Sequence, residues 1–333
     1  MPDTPLPTLK AKDFATDQDV RWCPGCGDYS ILIAVQRVCA QIGATREDTV
    51  FVSGIGCSSR FPYYMDTYGF HSIHGRAPGF VTGIKIANPD LNVWMVTGDG
   101  DGLSIGGNHL MHILRRNVNV NALLFNNQIY GLTKGQYSPT SETGKKTKSS
   151  PMGSLDYPIN PLSLALAAEA SFVARASDKD RILVPVLERA AAHRGASFVE
   201  IYQNCNIFND GTFSVLTEKD TRDGSRLVLE HGKPLVFGAE GELAVVRDGF
   251  DLKVVATASV DASEILVHDE GGSDAYHQLL STLSQPTPIG VLRAVDGPVY
   301  DDLLHAQLQT EIAKRGPGDL QELLRGRDFW TIK

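Results

Sequence analysis

The sequence predicts an α/β chain: a mainly parallel sheet flanked by helices, followed by a C-terminal extension. Three observations carry that expectation. Short β-branched runs alternate with helical periodicities over the first two thirds of the chain, which implies parallel strands joined by crossovers. The residues able to do chemistry fall just past the ends of those strands. The pattern then changes character near residue 230, so a division into 1–229 and 230–333 is expected, the second part being an extension or an arm packed on the first.

The elements follow in order. Residues 30–42 place Ile31, Leu32, Val35, Val38, Cys39 and Ile42 on one helical stripe, and Gly43 ends it. Residues 49–53 read as a strand ending in Gly54-Ile55-Gly56-Cys57. A helix over 77–88 is closed by Pro89. The strand 93–97 runs into Gly98-Asp99-Gly100-Asp101, and 103–116 follows as a helix with Leu103, Leu110, Met111 and Leu114 on one face. The strand 120–125 runs into Asn126-Asn127. Helices are expected over 161–170, with Asn160-Pro161 as a start signal, and over 181–193. The strand 198–202 precedes Gln203-Asn204-Cys205. Residues 133–153, rich in Gly, Ser, Thr and Lys, read as a mobile loop in which Lys145, Lys146 and Lys148 are solvated charges. Beyond 230, strands are expected at 243–246 and 252–256 and helices at 275–283 and 301–314.

Composition bounds the function. The chain has 333 residues, 42% of them hydrophobic and 21% charged, ample for a buried core. A formal net charge of -8 argues against a nucleic-acid grip or an anionic membrane surface. No apolar run approaches the roughly 20 residues of a membrane span. Residues 1–14 are polar and contain prolines, unlike a signal peptide, so a cytoplasmic protein is expected. The odd count of five cysteines suits a disulfide framework poorly and a metal or redox role better.

The strongest pattern is Gly98-Asp99-Gly100, then 25 residues, then Asn126-Asn127. Strand, Gly-Asp-Gly, helix, strand and Asn-Asn bring both ends back to one sheet edge, where open parallel sheets bind ligands. This predicts a thiamine diphosphate whose phosphates are held through Mg2+, a hard ion that wants oxygen ligands. Asp99 supplies a carboxylate, Asn127 an amide oxygen and Ile129 its carbonyl. The glycines let the backbone approach the phosphates, and the helix from Leu103 directs its N-terminus at them.

Cys23 and Cys26 form a C-x-x-C turn rich in Gly and Pro, a spacing that suits two ligands of one metal centre. Cys57 and Cys205 end strands on the same edge. Four thiolates fit a cubane iron–sulfur cluster or a tetrahedral zinc. A thioredoxin-type redox pair would instead follow a core strand, which residues 17–21 barely resemble. Cys39 lies on the apolar helix stripe and reads as core. In His71-Ser72-Ile73-His74-Gly75-Arg76 the histidines are either cofactor and substrate contacts or loop histidines. Arg60 is either a partner for a substrate carboxylate or a surface residue.

Together, Cys-Pro-Gly-Cys-Gly, Gly-Ile-Gly-Cys-Ser, His-Gly-Arg-Ala, Gly-Asp-Gly-Asp and Asn-Asn-Gln-Ile-Tyr-Gly-Leu-Thr-Lys-Gly-Gln-Tyr-Ser-Pro-Thr resemble the β subunit of 2-oxoacid:ferredoxin oxidoreductases, most closely the 2-oxoglutarate type. The motifs are dense over 22–140 and continue through Cys205 and residues 286–299. The resemblance implies a thiamine-diphosphate-binding fold, with 1–229 as a pyrophosphate-type domain. It also implies one 4Fe–4S cluster on Cys23, Cys26, Cys57 and Cys205. The cofactor would lie against Gly54, Ile55, Gly56, Cys57, Ser58, His74, Gly98, Asp99, Gly100 and Asp101, and against Asn127, Ile129, Tyr130, Gly131, Leu132 and Thr133. Arg60 would stand near the substrate. The implied reaction is coenzyme-A-dependent oxidative decarboxylation of a 2-oxo acid, most simply 2-oxoglutarate, to acyl-CoA and CO2. Electrons would pass through the cluster to ferredoxin, reversibly. An α subunit would supply the activating glutamate, in a dimer of αβ pairs. The alternatives are a pyruvate-type enzyme of the same family, a cluster-free thiamine-dependent decarboxylase subunit, and a zinc-holding assembly protein on a decayed cofactor fold.

Overall fold

The computed structural model describes residues 9–332; part of the N-terminal stretch expected to lack a leader, residues 1–8, lies outside them. The strands are β1 (Thr49–Ser53), β2 (Tyr68–His71), β3 (Asn92–Gly98), β4 (Val120–Asn126), β5 (Phe172–Ser177), β6 (Ala196–Tyr202), β7 (Arg226–Leu229), β8 (Val236–Phe237), β9 (Leu243–Asp248), β10 (Asp251–Ala256) and β11 (Thr287–Ala294). The helices are α1 (Asp28–Gln41), α2 (Ala77–Ala87), α3 (Asp99–Leu103), α4 (Gly107–Arg115), α5 (Pro161–Ala167), α6 (Leu183–Ala192), α7 (Ser214–Thr217), α8 (Arg222–Ser225), α9 (Asp274–Thr282), α10 (Tyr300–Arg315) and α11 (Leu320–Arg325).

Eight strands form one sheet in the order β2-β1-β3-β4-β6-β5-β11-β7, and β10-β9-β8 form a small second one. The large sheet is parallel except where β11 runs antiparallel to β5. Its central strands bury both faces, as crossover helices require. Val50, Val52, Val93, Met95, Ala122 and Leu124 share a core with residues of α2, α4 and α5. The alternate residues Phe51, Trp94, Val96, Leu123 and Phe125 share the other core with α1 and α6. The two faces follow from the period-2 alternation of a strand.

The structure departs from the expected elements at several places. Strands β2, β5, β7, β8 and β11 were not anticipated. β5 is wholly buried, so its sequence Phe-Val-Ala-Arg-Ala-Ser shows no alternation to read. β11 comes from beyond residue 230 yet lies between β5 and β7 in the main sheet, so the chain past 230 completes that sheet as well as forming the small one. The helix expected over 103–116 is two helices. The first begins at Asp99, and the break at 104–106 lets Gly106 meet Gly75: a Cβ on Gly106 would stand 2.5 Å from the Asp101 carbonyl oxygen and 3.0 Å from the Gly75 Cα.

α10 is tied to the body at its first turn. Asp301 is buried, accepts a hydrogen bond from the Asn119 amide at 3.0 Å, and stands 4.0 Å from the Lys85 ammonium. Lys85 is equally buried and donates to the carbonyls of Pro89 and Leu91 at 2.5 and 2.9 Å. Beyond that turn the arm is exposed, including Leu320, Leu323, Leu324 and Trp330. No helix among the described residues is long and apolar enough to cross a membrane. Removing one partner of a buried charge pair strands the other, so Lys85→Met is expected to lower the unfolding free energy by about 3–5 kcal/mol. A denaturant titration showing an unchanged midpoint would exclude this anchor.

Candidate functional site: a carboxylate-braced cleft beside four cysteines

The parallel register delivers the site. Ser53 of β1 aligns with Val96 of β3, Gly98 of β3 with Phe125 of β4, and Asn126 of β4 with Tyr202 of β6. The segments starting at Gly54, Asp99, Asn127 and Gln203 therefore leave the sheet at one edge.

Asp101 braces this edge. Its buried carboxylate accepts hydrogen bonds from the amides of Ile55 (3.1 Å) and Gly75 (2.7 Å) and from the Thr97 hydroxyl (2.7 Å), and it meets His74 Nδ1 at 2.5 Å. A carboxylate only accepts, so His74 carries its proton on Nδ1 there. Four protein donors already occupy the Asp101 carboxylate, which ties the 54–55 and 74–75 loops to the end of β3. Gly54 is required by this brace, since a Cβ there would fall 1.9 Å from the Asp101 carboxylate. His71 is separate from His74 and pairs with the Tyr63 hydroxyl at 3.2 Å.

Asp99 is buried at the start of α3, and not before a helix from Leu103. One of its oxygens accepts from the hydroxyls of Ser138 (2.5 Å) and Thr140 (2.7 Å). Burial raises its pKa, and those two hydroxyls pull it back. Residues 133–153 are therefore not a free loop throughout, because Ser138, Thr140 and Ser141 are buried against Asp99 and the Asn126–Ile129 turn. In that turn the Asn126 and Asn127 side chains accept from the amides of Gln128 (3.2 Å) and Ile129 (3.1 Å), two successive side-chain-capped turns. Gln128 takes a left-handed φ of 55°, uncommon outside glycine. The Tyr130 hydroxyl donates to the Gly100 carbonyl at 2.8 Å, and its ring leaves no room for a Cβ on Gly100. Ser58 lies beside Gly98, where a Cβ would stand 3.3 Å from its hydroxyl. Gly56 needs its glycine for backbone conformation, with φ 123°. Leu132 and Thr133 are exposed, the latter bonded to Gln136.

Cys23, Cys26, Cys57 and Cys205 line one cavity of about 230 Å3 together with Arg60, Asn127, Gly131 and Gln203. Gly131 fits between two of the sulfurs: a Cβ would stand 3.4 Å from Cys57 Sγ and 3.7 Å from Cys205 Sγ. The thiols surround a space and do not converge on a point, and among the described residues no three His, Cys, Asp or Glu side chains are close enough to hold one metal ion. Burial, then the neighbouring Asp28 carboxyl, raises the Cys26 thiol; burial pushes Cys57 up to about 12. Asp28 is itself buried, and burial pushes it up to about 7, with the Cys26 thiol pulling it back. Cys39 is remote from the cavity, fully buried in the α1 core. Arg60 lines this cavity and an adjoining recess of about 540 Å3 with Arg21, Tyr63, His71 and Leu132. Its Nε donates to the Tyr64 hydroxyl at 3.2 Å.

Sequence reasoning missed Ser138, Thr140 and Gln203. Gln203 joins the two halves, accepting from the Asn127 amide at 2.8 Å while its own amide meets Cys26 Sγ at 3.2 Å. Its place just past a strand end was the available signal; Ser138 and Thr140 close the long motif that begins at Asn126, but nothing local marks loop hydroxyls as partners of Asp99. Gly54→Ala is expected to disrupt the Asp101 brace and abolish thiamine diphosphate binding while most of the sheet's ellipticity remains. Calorimetry giving parental affinity would show that the brace tolerates a Cβ.

Residues 54–201 match the family described as thiamine pyrophosphate enzyme, C-terminal TPP binding domain. The chain is 58% identical over 340 residues to 2-oxoglutarate oxidoreductase subunit KorB of Mycobacterium tuberculosis, covering 100% of this chain and 91% of that one. It is 47% identical over 191 residues to subunit beta of 2-oxoacid:ferredoxin oxidoreductase 1 of Aeropyrum pernix, over 57% of this chain and 60% of the relative. A solved structure of 2-oxoglutarate:ferredoxin oxidoreductase from Magnetococcus marinus, with 2-oxoglutarate, coenzyme A and succinyl-CoA bound, superposes with a TM-score of 0.75 at 33% identity, covering 95% of both chains. The chain accordingly belongs to the β subunits of the 2-oxoacid:ferredoxin oxidoreductases, in their 2-oxoglutarate type, and has the thiamine-pyrophosphate-binding fold of that family.

Proposed function

We propose that this chain holds thiamine diphosphate, Mg2+ and one 4Fe–4S cluster in a 2-oxoglutarate:ferredoxin oxidoreductase. The observation that carries this reading is the meeting of four cysteines, distant in sequence, around one cavity that adjoins the Asp99–Asn127 edge. A polyatomic cluster holds its thiolates apart, which suits sulfurs arranged around a space. Bound together, the groups supply an electron sink for decarboxylation and an acceptor for the electrons released.

The residues of the chain divide the remaining work. Cys23, Cys26, Cys57 and Cys205 hold the cluster, and Cys23, the exposed one of the four, faces the side from which ferredoxin collects electrons. Asp99, Asn127 and the Ile129 carbonyl hold Mg2+, a set of hard oxygen donors. Gly98, Gly100 and the 54–58 loop leave backbone room for the diphosphate, and the Asp101 brace keeps His74 directed at it. Residues 130–133, from Tyr130 to Thr133, wall the cleft between cofactor and cluster. Arg60, with its Nε fixed by Tyr64, pairs with a carboxylate of 2-oxoglutarate. Coenzyme A takes the acyl group, and the reaction runs as reductive carboxylation when a strong reductant is supplied. A cytoplasmic dimer of αβ pairs is the working assembly.

The α subunit follows from an incomplete surface. β2 is exposed along its whole length, with Tyr68, Phe70 and Ile73 in the open beside His74, an arrangement that calls for a partner. The isolated chain is expected to show no coenzyme-A-dependent oxidation of 2-oxoglutarate, and addition of the α subunit to restore it, read with a viologen dye under anaerobic conditions. Robust turnover by the chain alone would refute the subunit reading.

The cluster is tested separately. Cys26→Ser, in anaerobically purified αβ enzyme, is expected to lose its iron and its broad visible absorption, because a serine oxygen replaces a soft thiolate poorly. Cys39→Ser should keep both and lose only about 1–3 kcal/mol of stability from a buried hydroxyl. Normal iron in the first variant, or none in the second, overturns the ligand set.

A further inference from the structure

A line of buried polar side chains runs across the sheet to the back of Asp99. On β5, Arg175 Nε donates to Glu200 Oε2 of β6 at 2.6 Å, with the guanidinium 5.0 Å from the Tyr202 ring centre. Glu200 Oε1 accepts from the Asn126 Nδ2 amide at the end of β4, at 2.7 Å. The Thr140 hydroxyl lies 2.9 Å from Asn126 Oδ1 and 2.7 Å from Asp99 Oδ2. Every one of these five side chains is buried: Arg175 4%, Glu200 0%, Asn126, Thr140 and Asp99 2% exposed.

The donors and acceptors fix one arrangement. An ionised Glu200 accepts only, so Asn126 must present its NH2 to Glu200 and its oxygen to Thr140. That oxygen already receives the Gln128 amide. Thr140 has a single proton, and both Asn126 Oδ1 and Asp99 Oδ2 are acceptors within its reach, so the hydroxyl forms a three-centre bond drawn toward the carboxylate, the stronger acceptor. No loop hydroxyl binds the other Asp99 oxygen among the described residues. A buried ion pair is weak as a source of stability, since desolvation offsets much of its attraction. The Arg175–Glu200 pair has a clearer use as an orienting device.

We propose that Arg175, Glu200, Asn126 and Thr140 are positioning residues for the cation site: the ion pair sets the Asn126 amide, the amide sets the Thr140 hydroxyl, and the hydroxyl holds Asp99 for Mg2+. This rests on the reading of Asp99 as a magnesium ligand. It assigns a role to residues outside the Gly-Asp-Gly and Asn-Asn motif positions that contact the cation.

The test is calorimetry of thiamine diphosphate binding to cofactor-stripped αβ enzyme at several Mg2+ concentrations. Thr140→Val and Glu200→Gln are expected to weaken Mg2+-dependent binding by about 10- to 100-fold, the usual effect of removing an outer partner of a metal ligand. Thr140→Ser, which keeps the hydroxyl, should restore the parental affinity. A Thr140→Val enzyme with parental affinity overturns the proposal, as does a Thr140→Ser enzyme as weak as Thr140→Val. A lowered melting temperature with unchanged affinity also overturns it, because that is a purely structural role. If Glu200→Gln fails to fold, the Thr140 pair decides alone. Asp99→Ala separates the two readings. Unchanged affinity there removes the magnesium ligand itself, whereas lost affinity beside a normal Thr140→Val enzyme removes only the relay.

Discussion

The in-register ends of β1, β3, β4 and β6 are the constraint on which the rest of the molecule depends. Parallel strands point the same way, so each hands its following loop to the same edge of the sheet. Residues 54, 99, 127 and 203 become neighbours for that reason and for no local one. A slip of one residue in any pairing would exchange the buried faces of a strand, and both cores, built from alternate residues of the same strands, would be lost together.

Two carboxylates within one Gly-Asp-Gly-Asp motif then take different tasks. α3 starts at Asp99, so side chains two residues apart leave the helix about 200° from one another. Asp101 turns to the 54–55 and 74–75 loops and is saturated by protein donors. Asp99 turns to the 138–141 segment, where hydroxyls hold only one of its oxygens. The different surroundings of the two carboxylates thus come from helical geometry acting on chemically identical groups.

Gln203 makes a single unit of what the motifs present as two. Its side chain is bonded to Asn127 on one side and Cys26 on the other, and Gly131 packs between Cys57 and Cys205. The cleft at the Asp99–Asn127 edge and the four-cysteine cavity therefore share walls. A displacement in one is felt in the other through buried contacts.

The amino-acid sequence alone determined the α/β class, the strand-end placement of Cys57, Asp99, Asn127 and Cys205, the core position of Cys39 and the family, because these rest on local periodicity and on motifs whose residue types are dictated by metal and phosphate chemistry. It did not reveal β2, β5, β7, β8 or β11. A strand buried on both faces, or an exposed edge strand, has no alternation to announce it, and β11 joins β5 across more than a hundred residues. Nor did it reveal the buried hydroxyls of Ser138 and Thr140 or the Arg175–Glu200 pair. The four donors from three separate segments that fill the Asp101 carboxylate were likewise not legible. Which polar group meets which is decided only when the sheet has closed, because hydrogen-bond partners are chosen by proximity in space, and proximity between distant segments is a property of the whole fold.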